Sequence, residues 1–532
     1  MQFAYVFTCG TGPPGIQLLQ PLRSMTHDRI ISRRGWQHHN VMIQGVKGRS
    51  LPGFGLRRVG IPGWGLDLLS YATRRIRIEV GRGEIALTVQ HRVASWEILS
   101  DKLQGVELEP SERIADAKER VFGLEQESEI VFYRDNSSWC PYCERVWLLL
   151  EEKKISYSIK KINMRCYGGK PAWYTSMVPS GLLPAVTLDG QLVTESLDIM
   201  FILEERFPNN YPLLPERGTP EFAAVDALLK LERKLFGAWL SRLTQSRGDN
   251  GAFEATMDRV NCALQRFKGP YFLGIQFSLV DAVFAPFLER IAASMPYWPG
   301  IQIRGADRWS AINEWFDAMD SRPSYQAMKS DDFGITHNLE PQIGSCFSAE
   351  AGAAYRALID GTNGAWDLPL KSEVTAWGTD DGSGKDGAKE EAAQSLIENH
   401  EQIVKFALRG VEDGEKYRDA VDLAFRYLAL SLLDGVQNVN VPKDQPKEVA
   451  IAASYLRERV GVPRDLTYPA ARQLRAHLNW LVKQSGSRSK LDEVKTDDQK
   501  SWLEPAEISN SGGVLQESKK ALSARVKLMA LS

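Results

Sequence analysis

One stretch, Trp139-Cys140-Pro141-Tyr142-Cys143-Glu144-Arg145, constrains the fold of this chain more than any other. The apolar run Glu129-Ile-Val-Phe-Tyr133 precedes it, and Val146-Trp-Leu-Leu-Leu150 leading into Glu151-Glu-Lys-Lys154 follows. That order predicts a buried strand, a short turn and a helix, with Pro141 at the first helical position, where a missing N–H costs nothing. A cysteine at such a helix start faces unpaired backbone N–H groups and the positive end of the helix dipole, and both favour the nucleophilic thiolate. Cys140 and Cys143 are also spaced to close a disulfide, so the pair is the candidate redox centre. Metal binding is the rival reading, but one Cys-x-x-Cys supplies two ligands where structural zinc takes four. Cys166 is the one nearby third cysteine and no histidine is close in sequence, so no metal is expected.

The pattern around the pair predicts a βαβ unit followed by ββα over residues 128–212. Tyr157-Ser-Ile-Lys-Lys-Ile162 alternates as a second strand. Leu183-Pro-Ala-Val-Thr-Leu188 and Gln191-Leu-Val193, joined at Asp189-Gly190, read as a hairpin. A helix is expected from Glu195 to Phe207, with Leu197, Phe201, Ile202 and Leu203 on its apolar side. A cysteine pair before the first helix of such a unit is the thioredoxin-like arrangement. Residues 213–330 then read as an all-helical domain, with helices at Phe222–Leu243, Phe253–Phe267, Leu279–Ala293 and Trp309–Met319. The aromatics Phe236, Trp239, Tyr297 and Trp298 at helical spacing read first as core.

The flanks are less informative. Residues 1–66 hold a single acid, Asp28, against Arg23, Arg29, Arg33, Arg34, Lys47, Arg49, Arg57 and Arg58. Such a basic leader is expected to be a disordered transit peptide directing the chain to the chloroplast; without that role the chain would be cytoplasmic. Residues 67–127 read as a connector with a strand at Arg75–Val80 and a short helix after Ser95. Residues 331–390 hold a distinct segment with His337 and Cys346 and then a polar, Gly-rich linker. Residues 391–484 form a helical extension of about four helices, with His400 and His477 on or near apolar faces and so expected in its core. Residues 485–532 are expected to be a disordered tail. With 65 basic and 67 acidic residues nothing global points to nucleic acid. No apolar run reaches the roughly 20 residues of a membrane-spanning helix.

Five pieces in register carry a resemblance to a known family: Cys140-Pro-Tyr-Cys143, Lys170-Pro-Ala-Trp173, Pro179-Ser-Gly-Leu-Leu-Pro184, Glu195-Ser196 and Ser278-Leu-Val-Asp281. Together they resemble the cysteine-type glutathione transferases, with omega-, lambda- and dehydroascorbate-reductase-like motifs. Ser330-Asp-Asp-Phe-Gly-Ile-Thr-His337 and Val462-Pro-Arg-Asp465 look most like the iota class of cyanobacteria, algae and plants, which carries an extra helical region. The resemblance implies a thioredoxin-like α/β domain, an all-α domain and a helical extension. It implies glutathione as co-substrate and a small-molecule or protein disulfide or electrophile as partner, with both homodimer and monomer left open.

Carried over residue by residue, Cys140 is the implied nucleophile and Cys143 the resolving cysteine. Pro184 is expected to be cis, freeing the main chain of Leu183 to pair with glutathione like an added strand. Glu195 and Ser196 open a helix suited to the γ-glutamyl end, and Lys170 is placed for the glycyl carboxylate. The implied activity is thiol–disulfide exchange, dehydroascorbate reduction or deglutathionylation. The competing reading is a glutathione-binding or redox-sensing interaction protein whose extension docks a partner.

Overall fold

The computed structural model describes residues 94–104 and 113–485, except 125, 127, 165–168, 246–249, 372, 376–377 and 381–386, and the backbone of two strands at 75–80 and 83–88. The leader 1–66 and Cys166 lie outside the described residues. Of the tail, Ser485 is buried at the end of a helix and hydrogen-bonds Leu481, and the rest lies outside.

Strands β1 (Arg75–Val80) and β2 (Gly83–Thr88) form an antiparallel pair, and α1 (Trp96–Gln104) follows. The central sheet contains β3 (Glu119–Arg120), β4 (Ile130–Asp135), β5 (Tyr157–Ile162), β6 (Ala185–Leu188) and β7 (Gln191–Thr194), in the order β3-β5-β4-β6-β7. Helix α2 (Pro141–Glu152) connects the parallel pair β4 and β5, α3 (Ala172–Met177) precedes the antiparallel β6–β7 hairpin, and α4 (Ser196–Arg206) follows it. The sheet gains an edge strand, β3, from the stretch read as connector. Its two residues pair with Ser158 and Tyr157, too short a run to show a period of two.

Nearly the whole of α2 is buried, from Cys143 to Glu151, because sheet and helices cover it from several sides. Its charged residues are paired inside: Lys153, just past its end, sits 3.0 Å from Glu204 of α4. On α4 the buried residues are Ile199, Met200 and Leu203, whereas Phe201 and Ile202 are 36% and 37% exposed. The expected apolar face is therefore wrong for those two. The helix is apolar around most of its girth, so periodicity could not choose the side that meets the sheet.

Helices α5 (Pro220–Thr244), α6 (Asn250–Leu264), α7 (Leu279–Tyr297), α8 (Ser310–Asp320), α9 (Pro323–Met328), α10 (Asp332–Ile343) and α11 (Ala353–Ile359) come next. The central helix α7 packs on α2, α5 and α10. Its start is fixed by Asp281, whose carboxylate accepts from the Ser278 N–H at 2.9 Å, the Phe272 N–H at 3.1 Å and the Trp315 indole at 2.9 Å. Trp366, within the 331–390 stretch read as distinct segment and linker, is buried with Tyr297, Phe333 and Ile359. His337 stacks on Phe333 at 4.0 Å and shares a hydrogen bond with the Phe333 carbonyl at 2.9 Å, so it works as a structural partner there.

Strands β8 (Glu373–Thr375) and β9 (Gly378–Asp380) form a small hairpin before the extension. The extension comprises α12 (Ala388–Glu398), α13 (His400–Ala407), α14 (Arg418–Asp434), α15 (Lys447–Arg457) and α16 (Tyr468–Gln484). Its core takes in Leu396, Val404, Phe425, Leu428, Leu474, Leu478 and Leu481. Helix α1 belongs to the same core. Leu99 and Leu103 are buried in it, Trp96 donates to Asp422 at 2.8 Å, and the Trp96 ring stacks on His400 at 4.4 Å. Among the described residues no helix is long and apolar enough to cross a membrane.

Candidate active site

Strand register brings the separate motifs to one end of the sheet. Tyr133, near the end of β4, faces Ala185 at the start of β6, and Ala185 faces Thr194 at the end of β7. The loop out of β4 therefore runs to Cys140 beside the Leu183–Pro184 bend, and Glu195-Ser196 emerges next to that bend. The Leu183–Pro184 peptide is cis, and Cys140 Sγ lies 3.9 Å from the Leu183 carbonyl oxygen.

Cys140 is the N-cap of α2: its backbone is extended (φ −75°, ψ 113°), and its carbonyl accepts from the Cys143 and Glu144 N–H groups at 3.1 and 3.0 Å. Pro141 holds the first helical position. Cys140 retains 9% of its surface and Cys143 only 1%, so Cys140 is the more accessible member of the pair. Burial pushes the Cys143 thiol well above its ordinary value, and its hydrogen bond with Cys140 and the charge there push the same way. Cys143 is thus held as a thiol whose S–H points to its neighbour.

Two buried arginines that the motif pattern did not single out as functional complete the surroundings. Arg290 of α7 donates to the Trp139 carbonyl at 2.8 Å and to Glu144 at 2.9 Å. Burial works against its charge, but Glu144, Glu289 and Cys140 outweigh it and raise Arg290 above the usual arginine value. Arg145, 1% exposed, lies over the Tyr142 ring at 4.8 Å and 3.5 Å from Glu232. Burial lowers it, while the Glu232 and Cys140 charges oppose that. The available signal for Arg290 was a Glu289-Arg290 step between the apolar runs Ala282-Val-Phe-Ala-Pro-Phe-Leu288 and Ile291-Ala-Ala293. A charge there is retained only if it is paired.

Pro184 is buried, Leu183 is half-buried, Ser196 is 8% exposed, and Glu195 is exposed at the N-cap of α4. Glu195 has φ 63° and ψ 116°, a conformation unusual outside glycine that costs about 1–3 kcal/mol and clusters at functional sites. Lys170 stands on the loop before α3. Its Nζ is 5.6 Å from the Tyr174 ring, and Tyr174 donates to the Leu182 carbonyl at 2.6 Å, tying that helix to the proline bend. Trp239 and Tyr297 are core, 2% and 6% exposed, whereas Phe236 and Trp298 are half-buried.

Residues 139–206 match the glutathione S-transferase N-terminal domain, and residues 222–318 match the glutathione S-transferase C-terminal domain. Glutathione S-transferase DHAR2 of Arabidopsis thaliana is 30% identical over 194 residues, which is 36% of this chain and 84% of that protein. Chloroplastic glutathione S-transferase L2 of Arabidopsis thaliana is 29% identical over 220 residues, 40% of this chain and 73% of that one. The crystal structure of Chlamydomonas reinhardtii dehydroascorbate reductase aligns at 22% identity and a TM-score of 0.35, covering 40% of this chain and 99% of that one. With a redox-type cysteine pair beside a cis-proline bend and a helical domain packed behind it, the chain belongs to the glutathione S-transferase family, whose co-substrate is glutathione.

Proposed function

We propose that the protein is a glutathione-dependent thiol transferase or reductase, with Cys140 as nucleophile and Cys143 as resolving cysteine. One observation carries this reading: Cys140, the more exposed residue of the pair, is the N-cap of a helix and holds its sulfur 3.9 Å from the Leu183 carbonyl, where a docked glutathione would present its own sulfur. The main chain of Leu183 beside Pro184 would pair with the cysteinyl part of glutathione as an added strand. The Ser196 hydroxyl and the first N–H groups of α4 suit the γ-glutamyl carboxylate, and the exposed Glu195 suits the amine. Lys170 is the cation for the glycyl carboxylate.

The Cys140 thiolate attacks the glutathionyl sulfur of a mixed disulfide, forming a Cys140–glutathione disulfide. The former partner leaves as a thiolate and takes a proton. A second glutathione thiolate then attacks the bound glutathionyl sulfur, releasing glutathione disulfide and restoring the Cys140 thiolate. Alternatively Cys143 attacks Cys140, expelling glutathione, which takes up the Cys143 proton; two further glutathiones reduce the internal disulfide. Reduction of dehydroascorbate differs in its first step: the Cys140 thiolate adds to a carbonyl carbon, one glutathione thiolate attacks that sulfur and expels ascorbate, which takes up the protons, and a second glutathione resolves the resulting Cys140–glutathione disulfide as above.

Placement in the iota class rests on the Ser330–His337 and Val462–Asp465 segments. A chloroplast address draws on the basic leader and on the chloroplastic relative. A glutathione-coupled hydroxyethyl disulfide assay tests the chemistry: Cys140→Ser is expected to lose at least about 100-fold in kcat/KM. Full turnover without Cys140 would end this assignment.

A further inference from the structure

We propose that the C-terminal extension is a working part of the active site, with Arg464 as a positioning residue that holds Trp139 and, through it, Cys140. The inference rests on the reading of Cys140 as nucleophile. Trp139, the residue before that cysteine, is gripped at three points. Its N–H donates to Asp135 Oδ2 at 2.7 Å, and its carbonyl accepts from Arg290 Nη2 at 2.8 Å. Its ring faces the Arg464 guanidinium, with Cζ 5.7 Å from the ring centroid, inside the ~6 Å over which such a pair attracts. The transferase domains supply the first two holds and the extension supplies the third.

Arg464 sits on a loop that is itself fixed. Arg475 of α16 donates to the Val460 carbonyl at 2.6 Å, and the Gly461 N–H donates to Asp465 Oδ2 at 2.7 Å. Arg464 donates to Asp465 Oδ1 at 2.8 Å and to the Arg459 carbonyl at 2.8 Å. A guanidinium held in this way needs little further ordering to keep an aromatic ring in place.

The same loop reaches the Trp139–Cys140 turn by a second route. Ser330 Oγ donates to the Val462 carbonyl at 2.9 Å, and the Ser330 N–H donates to Glu289 Oε1 at 3.0 Å. Glu289 adjoins Arg290 on α7, the residue that holds the Trp139 carbonyl. The loop therefore meets the turn from its ring side directly and from its carbonyl side through α7. A shift of Trp139 moves the N-cap of α2, and with it the sulfur relative to the Leu183 bend.

The test uses the full-length protein with hydroxyethyl disulfide and glutathione. Arg464→Ala is expected to lower kcat by about tenfold with KM for glutathione within about twofold, as for a misplaced reacting group. Alkylation of Cys140 by iodoacetamide at neutral pH slows in parallel, and Arg464→Lys recovers part of both. An Arg464→Ala protein with an unchanged melting temperature and parental kcat and alkylation rate overturns the proposal. If that variant does not fold, Ser330→Ala, which removes the Val462 link, is read in the same two assays; a decrease in both supports the proposal and parental values overturn it. The underlying functional reading fails separately, by full turnover in Cys140→Ser.

Discussion

The two cysteines share a motif but not an environment, and the difference divides their roles. Cys140 is the N-cap of the helix and the more accessible of the two, while Cys143 is sealed beneath it and held protonated by burial. With glutathione in excess, the external thiol reaches the mixed disulfide more readily than the buried one. Cys143→Ser is therefore expected to keep at least about half of the parental turnover. It should also accumulate the Cys140–glutathione adduct on treatment with oxidised glutathione, where the parent closes an internal disulfide; mass spectrometry reads both. A variant that lost turnover as completely as Cys140→Ser would make the internal disulfide obligatory. The cysteine pair is legible in the sequence because spacing at a helix start is a local signal, whereas the cis-proline and the Glu195-Ser196 site were implied by the family resemblance. Arg290 and Arg464 are legible in neither way, because each reaches Trp139 from a distant part of the chain and no local period reports that contact.

Among the elements, α7 most directly couples the helical half to the cysteine turn. Asp281 fixes its start by accepting from three N–H groups and the Ser278 hydroxyl, all without solvent. Asp281→Ala leaves buried donors unpaired and is expected to cost about 3–5 kcal/mol in urea unfolding, with Asp281→Asn costing less. Burial raises the Asp281 carboxyl to about 6. A raised acid binds more protons in the folded state, so its contribution is present below its ordinary value near 4 and is lost as pH rises through about 6. The start of α7 was readable from Ser278 and Asp281, but the helix runs on to Tyr297, four residues past the expected end at Ala293. The facing of α4 was not readable, since an element apolar on several sides carries no record of which side meets the sheet. The docking of α1 was hidden for another reason: its two buried leucines are too few to announce a partner nearly 300 residues further along the chain.

For the whole molecule, acid separates two cores. His477, 2% exposed inside the extension, is pushed down to about 4 by burial, so it stays neutral in the fold but charges on unfolding. Its contribution is present above about pH 6.5 and is lost as pH falls through that range toward 4, by about 3 kcal/mol in all. Between pH 7 and 5 the extension should loosen while the Asp281 contribution moves the transferase core the other way. Hydrogen exchange resolved by segment tests this: protection in α12–α16 should fall over that interval, and His477→Gln should flatten the dependence. Helix α1 extends that physical unit toward the front of the chain, because Ala94, Leu99 and Leu103 complete a core whose other buried members lie beyond residue 390. A truncation that keeps this core whole must therefore end ahead of Ala94. A cut even a dozen residues further in would leave the distant helices with an open greasy seam.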